Sequence, residues 1–274
     1  MADSYTTYTS GFYETQRDGS LLSARRIVPE VLRLAGNCRS VVDVGCGVGT
    51  WLKVFQENGI TDYLGIDGEY VERQMLEIPA DHFLAHDLRE PLKIDRTFDI
   101  VVSLEVAEHL PPSSAETFVN TLTSLGPVVL FSAAVPFQNG NNHINEQWPD
   151  YWAGQFAKRG FVAVDAVRKA VWSDTNVEPW YAQNTIVYVK EDRLADFPRL
   201  AEIRACMPSG FLSIIHPKTY LLVREEAQLS VTVSNRLDNI PLKRILTALP
   251  HRVVRSLKER LWRGTNGQDR HALQ

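Results

Sequence analysis

The stretch VVDVGCGVGTW, residues 41–51, joins a run of β-branched residues to three closely spaced glycines. The run VVDV is typical of a buried strand, and glycines let a backbone turn sharply and approach a ligand closely. A helix that starts after such a turn offers unpaired N–H groups to an anion. The turn alone is also compatible with a dinucleotide site or a purely structural bend, but no Lys-Ser or Lys-Thr follows it, which excludes a phosphate-binding P-loop.

Apolar runs alternate with helix-like stretches from residue 41 to residue 132, and this alternation predicts an α/β fold with a parallel sheet covered by helices on both faces. The runs are VVDVG, YLGID, FLAHD, FDIVVSL and VVLFSA, and the helix-like stretches are TWLKVFQENG and residues 113–123. Further on, residues 151–159 read as a helix. Strands over 161–167 and 185–190 are expected to close the sheet as an antiparallel hairpin.

The chain divides into three predicted parts. Residues 1–40, with a helix over 20–34, form an N-terminal cap over the binding end of the sheet. Residues 41–190 form the central domain, and residues 191–274 form a small C-terminal appendage. Within the central domain, the segment AVPFQNGNNHINEQWPD, residues 133–149, has no periodicity and is expected to be a long loop that acts as a lid or binding segment.

Composition excludes several classes of protein. Hydrophobic residues make up 44% of the 274 residues and charged residues 23%, which is typical of a soluble globular protein, and no apolar run approaches the ~20 residues of a membrane span. The three cysteines, Cys38, Cys46 and Cys206, are too few and too scattered for a disulfide framework. The first residues lack a basic segment followed by an apolar one, so we expect a cytoplasmic protein. A net charge of −4 makes a nucleic-acid partner unlikely.

Three acidic residues follow or interrupt three successive strands. Asp43 precedes the first glycine by two residues, where it would suit a positively charged part of a ligand better than a pyrophosphate. Asp67 ends YLGID and occupies the position of an acid that binds ribose hydroxyls. Asp87 follows FLAH. A single acid at a strand end is often only a helix cap, but three in succession favour a ligand site.

The segments VVDVGCGVGTW, GID, HDL and FDIVVSLEVAEHLP resemble, in order and spacing, the successive motifs of the class I S-adenosylmethionine-dependent methyltransferases. The resemblance implies a Rossmann-like, seven-stranded, mostly parallel sheet. It also implies that Asp43 and the glycine loop hold the methionine part of the cofactor, that Asp67 holds the ribose, and that Asp87 with Leu88 holds the adenine. The expected cofactor-binding residues are Arg25, Asp43, Gly45, Cys46, Gly47, Gly49, Trp51, Asp67, Asp87, Leu88 and Leu104. Arg25 would meet the methionine carboxylate, although a solvated charge on a helix is an equally good interpretation.

Methyl transfer to a hydroxyl needs alignment of the acceptor and removal of a proton. At the end of the fourth strand, Glu105, Glu108 and His109 have the spacing that places three residues on one side of a helical turn. In one interpretation the two acids are structural and His109 is the general base. In the other, these three residues and His143 of the lid bind Mg²⁺ or Mn²⁺, which would acidify the acceptor hydroxyl. The expected catalytic residues are His109, His143 and Glu105.

The spacing of Glu105, Glu108 and His109 is similar to that of two metal-assisted families, the ubiquinone-pathway O-methyltransferases and the small-RNA 2′-O-methyltransferases. The wider pattern, from SLLSAR to HINEQWPDYW, is similar to bacterial methyltransferases of polysaccharide and natural-product pathways. We therefore expect O-methylation of a saccharide or other small-molecule acceptor. The alternatives are methylation of a terminal RNA ribose and a non-catalytic binding protein that kept the fold.

The segment PLKRILTALPHRVVRSLKERLWR, residues 241–263, interleaves apolar residues with lysines and arginines. Basic amphipathic segments of this kind lie on anionic membranes or dock on a protein surface. The sequence leaves both peripheral membrane binding and self-association open, and docking is the favoured interpretation.

Overall fold

The computed structural model describes residues 10–208 and 210–238. A seven-stranded sheet lies within these residues. Its strands are β1 (Ser40–Val44), β2 (Asp62–Asp67), β3 (Phe83–Ala85), β4 (Ile100–Leu104), β5 (Val128–Ser132), β6 (Phe161–Val164) and β7 (Ile186–Lys190).

The strands are arranged in the order β3-β2-β1-β4-β5-β7-β6. The first five in this order are parallel, with Val42 of β1 opposite Leu64 of β2 on one side and Val101 of β4 on the other. β7 runs antiparallel to both β5 and β6. The predicted mostly parallel, seven-stranded α/β sheet and its antiparallel final pair are confirmed. The chain leaves β1 in one direction for β2 and returns on the other side of β1 as β4, so a crevice opens at the carboxyl ends of β1 and β4.

Helices cover both faces of the sheet because neighbouring residues of each strand point to opposite sides. Val41 belongs to an apolar cluster with Ile27 and Phe55, while Val42 belongs to a second cluster with Phe118 and Phe156. The described helices are α1 (Ser10–Ala35), α2 (Thr50–Glu57), α3 (Ala115–Leu125), α4 (Pro149–Ala157), α5 (Arg168–Val171), α6 (Pro179–Asn184), α7 (Pro198–Cys206) and α8 (Pro217–Asp238).

Most predicted elements are found with shifted ends. The helix predicted over 20–34 is longer and begins at Ser10, and the strand predicted over 161–167 ends at Val164. No helix or strand occurs between β5 and α4, which fits the long loop predicted over 133–149. We call residues 133–148 the lid loop.

One compact unit of the chain ends at Val223 and a second begins at Arg224. In the first unit, α7 packs against α1 and β6. The predicted boundaries at residues 40 and 190 stay predictions, and the basic segment 241–263 lies outside the described residues. No described helix has the length and apolar character that crossing a membrane requires.

A buried arginine organises the side of the first unit that lies beyond β7. The Arg168 guanidinium is only 1% exposed and forms a two-pronged ion pair with Asp165, at 2.7 and 2.8 Å. It also donates to the backbone carbonyls of Gln183, at 3.2 Å, and Leu212, at 2.7 Å. Each N–H group of a buried guanidinium needs an acceptor. These bonds therefore hold the segments of Asp165, Gln183 and Leu212 around one side chain.

We predict that Arg168→Ala destabilises the protein by about 3–5 kcal/mol, since it leaves Asp165 and the carbonyls of Gln183 and Leu212 without their donor. Urea denaturation measures the loss. Arg96→Ala is the matched control, because Arg96 pairs with Asp62 at the surface and such pairs contribute only about 0–1 kcal/mol. Equal midpoints for the two variants would contradict a structural role for Arg168.

Candidate functional site

The glycine turn after β1 has the backbone conformation that its sequence predicts. Gly45, Gly47 and Gly49 have φ values of 88°, 54° and 89°, in the left-handed region that favours glycine. A Cβ atom at Gly45 would overlap the side chain of Val106, which follows β4. The turn therefore lies against the chain beyond β4, and α2 begins directly after it at Thr50.

Asp67 receives several hydrogen bonds at the end of β2. Its Oδ2 accepts the N–H of Gly47 at 2.7 Å, and its Oδ1 accepts the N–H of Gly68 at 2.7 Å and the hydroxyl of Tyr70. Burial raises the pKa of the carboxyl and these bonds lower it, with burial the larger effect. The acid is thus held beside the glycine turn, as the sequence predicts for a residue that binds a sugar diol.

A cavity of about 150 Å³ opens between the glycine turn, Asp67 and the end of β4. The described lining residues are Ser20, Gly45, Cys46, Gly47, Val48, Thr50, Trp51, Asp67, Tyr70, Leu88, Leu104, Glu105, Val106, His109, Leu110 and Tyr181. We call it the first cavity. Most of the predicted cofactor-binding residues line it, and Gly49 lies in the turn itself.

Three of the predicted cofactor-binding residues are placed differently. Asp43 is only 2% exposed and is not among the residues that line the first cavity. Burial, reinforced by the negative charge of Asp67, raises its pKa well above the usual range for Asp. Arg25 is half exposed on α1 and pairs with Glu57 of α2 at 3.2 Å, which corresponds to the interpretation of a solvated helix charge.

Asp87 lies outside the first cavity and is engaged by a neighbour. Its two carboxyl oxygens accept hydrogen bonds from Arg89, at 2.5 to 3.1 Å, and this pairing lowers its pKa. Asp87 and Leu88 both border a second cavity of about 650 Å³. The described lining residues of this second cavity are Gly68, Glu69, Tyr70, Asp87, Leu88, Arg89, His109, Leu110, Pro111, Asn142 and Ile144.

The end of β4 does not form the helical turn that the spacing of its acids predicts. Glu105 has a φ of 55°, and only residues 107–109 form a short 3₁₀ turn. The Glu105 carboxylate turns into the first cavity, where it accepts hydrogen bonds from Gln138, at 2.8 Å, and Asn184, at 3.1 Å. Glu105 therefore lies outside the short turn that carries Glu108 and His109, although its negative charge still acts on Glu108.

Glu108, His109 and His143 come together instead, with potential ligand atoms within 4.8 Å of one another. The lid loop brings His143 to this position because the N–H groups of Ile144 and Asn145 donate to the Glu108 carbonyl, at 2.9 and 3.0 Å. The imidazole rings of His109 and His143 meet edge to face, with centroids 4.8 Å apart. Of the four predicted metal ligands, Glu105 alone lies outside the group.

Both Glu108 and His109 are shifted toward their neutral forms. Burial and the nearby Glu105 charge raise the pKa of Glu108 well above its usual range. Burial and the neighbouring His143 lower the pKa of His109 to about 4, although backbone groups of the lid loop hydrogen-bond it and oppose this shift. The cluster therefore combines a buried acid with a neutral imidazole.

A carboxylate orders the lid loop around His143. Glu146 accepts the backbone N–H groups of Phe137, at 2.7 Å, and Asn139, at 3.0 Å, and it bonds to His143 Nδ1 at 2.9 Å. Phe137, Asn139 and Asn142 all have positive φ, a strained conformation for residues other than glycine. The loop is thus held in one shape by hydrogen bonds to a single side chain.

Several site residues were missed by sequence reasoning. Tyr70, Gln138, Ser20, Tyr181 and Asn184 all contact or line the cavities. The only available signal was the polar segment WYAQN, residues 180–184, which stands immediately before an apolar strand. No spacing rule connects these residues to the glycine turn.

The family model described as a methyltransferase domain matches residues 13–172, and the chain belongs to this family. Its fold is similar to an amino pentose methyltransferase from Micromonospora echinaspora involved in calicheamicin biosynthesis, with 15% identity, a TM-score of 0.50 and coverage of 68% of this chain and 98% of that chain. It is also similar to a plantazolicin methyltransferase, with 14% identity, a TM-score of 0.50 and coverage of 68% and 92%. No curated protein sequence matches the chain.

The family and the fold together confirm the prediction of a class I, S-adenosylmethionine-dependent methyltransferase. At identities this low, the two solved structures establish the fold alone.

We predict that Gly45→Ala damages the site more than an equally strained glycine substitution elsewhere. Gly160 is the matched control, because its φ is 72° and a Cβ there would meet nothing within 4 Å. Both alanine variants should lose about 1–2 kcal/mol from the left-handed backbone, and overlap with Val106 should cost Gly45→Ala a further ~1–3 kcal/mol. Chemical denaturation of the two variants checks this, and equal losses would contradict the close packing of the turn.

Proposed function

We propose that this methyltransferase transfers the methyl group of S-adenosylmethionine to a hydroxyl of a sugar or natural-product acceptor. The observation that carries the proposal is the position of His109, which lines both cavities. A residue on their common wall can meet the acceptor where it approaches the methyl group. Methyl transfer is an in-line displacement, so a donor pocket and an acceptor pocket that meet at a proton acceptor suit it.

The first cavity binds the donor in this proposal. Asp67 accepts hydrogen bonds from the ribose hydroxyls, and the glycine turn allows the methionine chain to approach the backbone. Cys46, Trp51 and Leu104 line the donor beside them. Leu88 lies on both cavities and suits the adenine, which then reaches from the first cavity toward Asp87.

The second cavity receives the acceptor. Leu110, Pro111 and Ile144 give it an apolar side, while Glu69 and Asn142 give it hydrogen-bonding groups. A sugar ring has apolar faces and a polar edge, so this mixture fits a saccharide. A sugar acceptor is consistent with the similarity between the fold of this chain and that of the amino pentose methyltransferase.

In the form of the reaction without a metal, His109 is the general base for the acceptor hydroxyl. Burial lowers its pKa to about 4, so the imidazole is neutral near pH 7 and can take a proton. An imidazole of such low pKa is, however, a weak base toward an alcohol. A hydroxyl acceptor therefore needs an additional source of acidity, and this favours the metal-assisted form of the reaction.

The Glu108, His109 and His143 side chains fit a divalent cation such as Mn²⁺ or Mg²⁺. The two buried carboxyl oxygens of Glu108 and the neutral His109 imidazole are the donor types that such a site requires. A proton on His143 Nδ1, donated to Glu146, leaves the lone pair on Nε2 for an ion. A cation held here would supply positive charge that lowers the pKa of the acceptor hydroxyl.

We predict that Asp67→Asn raises the Kd for S-adenosylhomocysteine by about tenfold or more, because a carboxylate that accepts two ribose hydroxyls becomes a neutral amide. Calorimetry on the full chain measures the change. Asp62→Asn is the control, since Asp62 stands at the opposite end of the same strand and is exposed. If Asp67→Asn bound the compound as tightly as the wild-type protein, the donor site would be misplaced.

We predict that EDTA lowers methyl transfer to a panel of monosaccharides by about 100-fold or more, and that Mn²⁺ restores it. His143→Ala should weaken Mn²⁺ binding, measured by calorimetry, and reduce turnover without unfolding the protein. His86→Ala is the control because the His86 side chain hydrogen-bonds the Glu90 carbonyl, away from the cluster. Full activity in EDTA would remove the cation from the proposal and leave His109 as the sole base.

A further inference from the structure

The first cavity has two ends, and the proposed function explains only one of them. Asp67, at the end of β2, marks the side of the sugar. The sheet order then places β1 and β4 on the other side of the glycine turn, where the amino-acid part of the donor must lie. That part is a zwitterion with one ammonium and one carboxylate, so this end needs hydrogen-bond donors for an anion.

Two hydroxyl groups lie at this end and come from distant parts of the chain. Ser20 of α1 and Tyr181 of α6 both line the first cavity, and their oxygens are 3.1 Å apart. Tyr181 is only 4% exposed. The indole N–H of Trp51 also hydrogen-bonds the Tyr181 oxygen, and the two rings meet edge to face with centroids 5.2 Å apart.

One hydroxyl proton of this pair is not used by the bonds between Ser20, Tyr181 and Trp51. Each hydroxyl carries one proton, and the bond between Ser20 and Tyr181 uses one of the two. The indole N–H of Trp51 is a donor and brings no acceptor for the second proton. One O–H is therefore available to a ligand atom in the cavity, and an anionic oxygen is its natural acceptor.

Cationic side chains do not provide an alternative partner for the carboxylate at this end of the first cavity. No lysine or arginine is among the described residues that line the first cavity. Arg25, the arginine that the sequence suggested for a carboxylate, is paired with Glu57 on the outer side of α1. Burial raises the pKa of Tyr181 far above its usual range, so the phenol remains a neutral donor at physiological pH.

The two helices that carry the hydroxyls are fixed to each other. The N–H of Glu178, just before α6, donates to Ser23 Oγ at 3.0 Å, and that hydroxyl donates to the Gly19 carbonyl at 2.7 Å. A Cβ at Gly19 would overlap the Glu178 side chain, so α1 and the start of α6 are in close contact. Ser20 and Tyr181 are therefore held in position before any ligand binds.

We propose that Ser20 and Tyr181 together bind the carboxylate of the methyl donor's methionine part, using neutral hydroxyls where the sequence suggested an arginine. The inference rests on the proposed binding of S-adenosylmethionine in the first cavity. It assigns to α1 and α6 a role in recognising the donor, and it makes both helices part of one binding site.

The test compares three ligands by calorimetry on the full chain. S-Adenosylhomocysteine carries the complete amino-acid part, decarboxylated S-adenosylmethionine keeps the ammonium without the carboxylate, and 5′-methylthioadenosine lacks both. Whichever of Tyr181→Phe and Ser20→Ala removes the donating hydroxyl should raise the Kd for S-adenosylhomocysteine about tenfold to a hundredfold, the loss expected for a hydrogen bond to a charged group. Their Kd values for the other two ligands should stay within about twofold of the wild-type values.

Tyr63→Phe is the matched control, because Tyr63 is an equally buried tyrosine of β2 that does not line either cavity. Equal losses for all three ligands would overturn the inference, since they would indicate a general disturbance of the cavity. Unchanged affinity for S-adenosylhomocysteine in both variants would overturn it as well. If the wild-type protein bound none of the ligands, the proposed donor site itself would fail, and the two failures are thus distinguishable.

Discussion

The site depends on the attachment of the glycine turn to the end of the neighbouring strand. The N–H groups of Gly45 and Cys46 both donate to the Ile66 carbonyl, at 2.7 and 3.2 Å, and the N–H of Gly47 donates to Asp67. Three successive backbone donors of the turn are thereby tied to two consecutive residues of β2. These bonds fix the distance between the backbone of the glycine turn, which a ligand can approach, and Asp67, which can bind it. That distance does not depend on the surrounding loops.

The sequence predicts this part of the molecule well because each pattern has a local physical cause. Val41 and Val42 enter opposite apolar clusters, as buried residues of a two-faced strand must. Glycine is required wherever the turn adopts positive φ, and Asp67 ends a strand whose neighbours are parallel. The alternation of strands and helices, the turn and the position of Asp67 at a strand end could all be predicted, since each of them is set by residues close together in the sequence.

The rest of the site could not be predicted because it depends on such contacts. The spacing of Glu105, Glu108 and His109 suggested a helical turn, but Glu105 takes a positive φ and bonds to side chains from the lid loop and α6. Ser20 and Tyr181 are 161 residues apart in sequence and meet only because α1 packs against the start of α6. Arg25 lies one and a half turns beyond Ser20 on the same helix, which is enough to direct its side chain to the outer surface.

The bonds of Arg168 bear on where this chain could be shortened. Strand β7 ends at Lys190, and a chain truncated there would keep all seven strands of the sheet. It would also remove Leu212, whose carbonyl accepts a hydrogen bond from the buried guanidinium, and His216, whose N–H donates to Gln183 beside the site. A minimal catalytic fragment must therefore extend to the beginning of α8, and truncation at the sheet's last strand would leave charged and polar groups stranded in the interior.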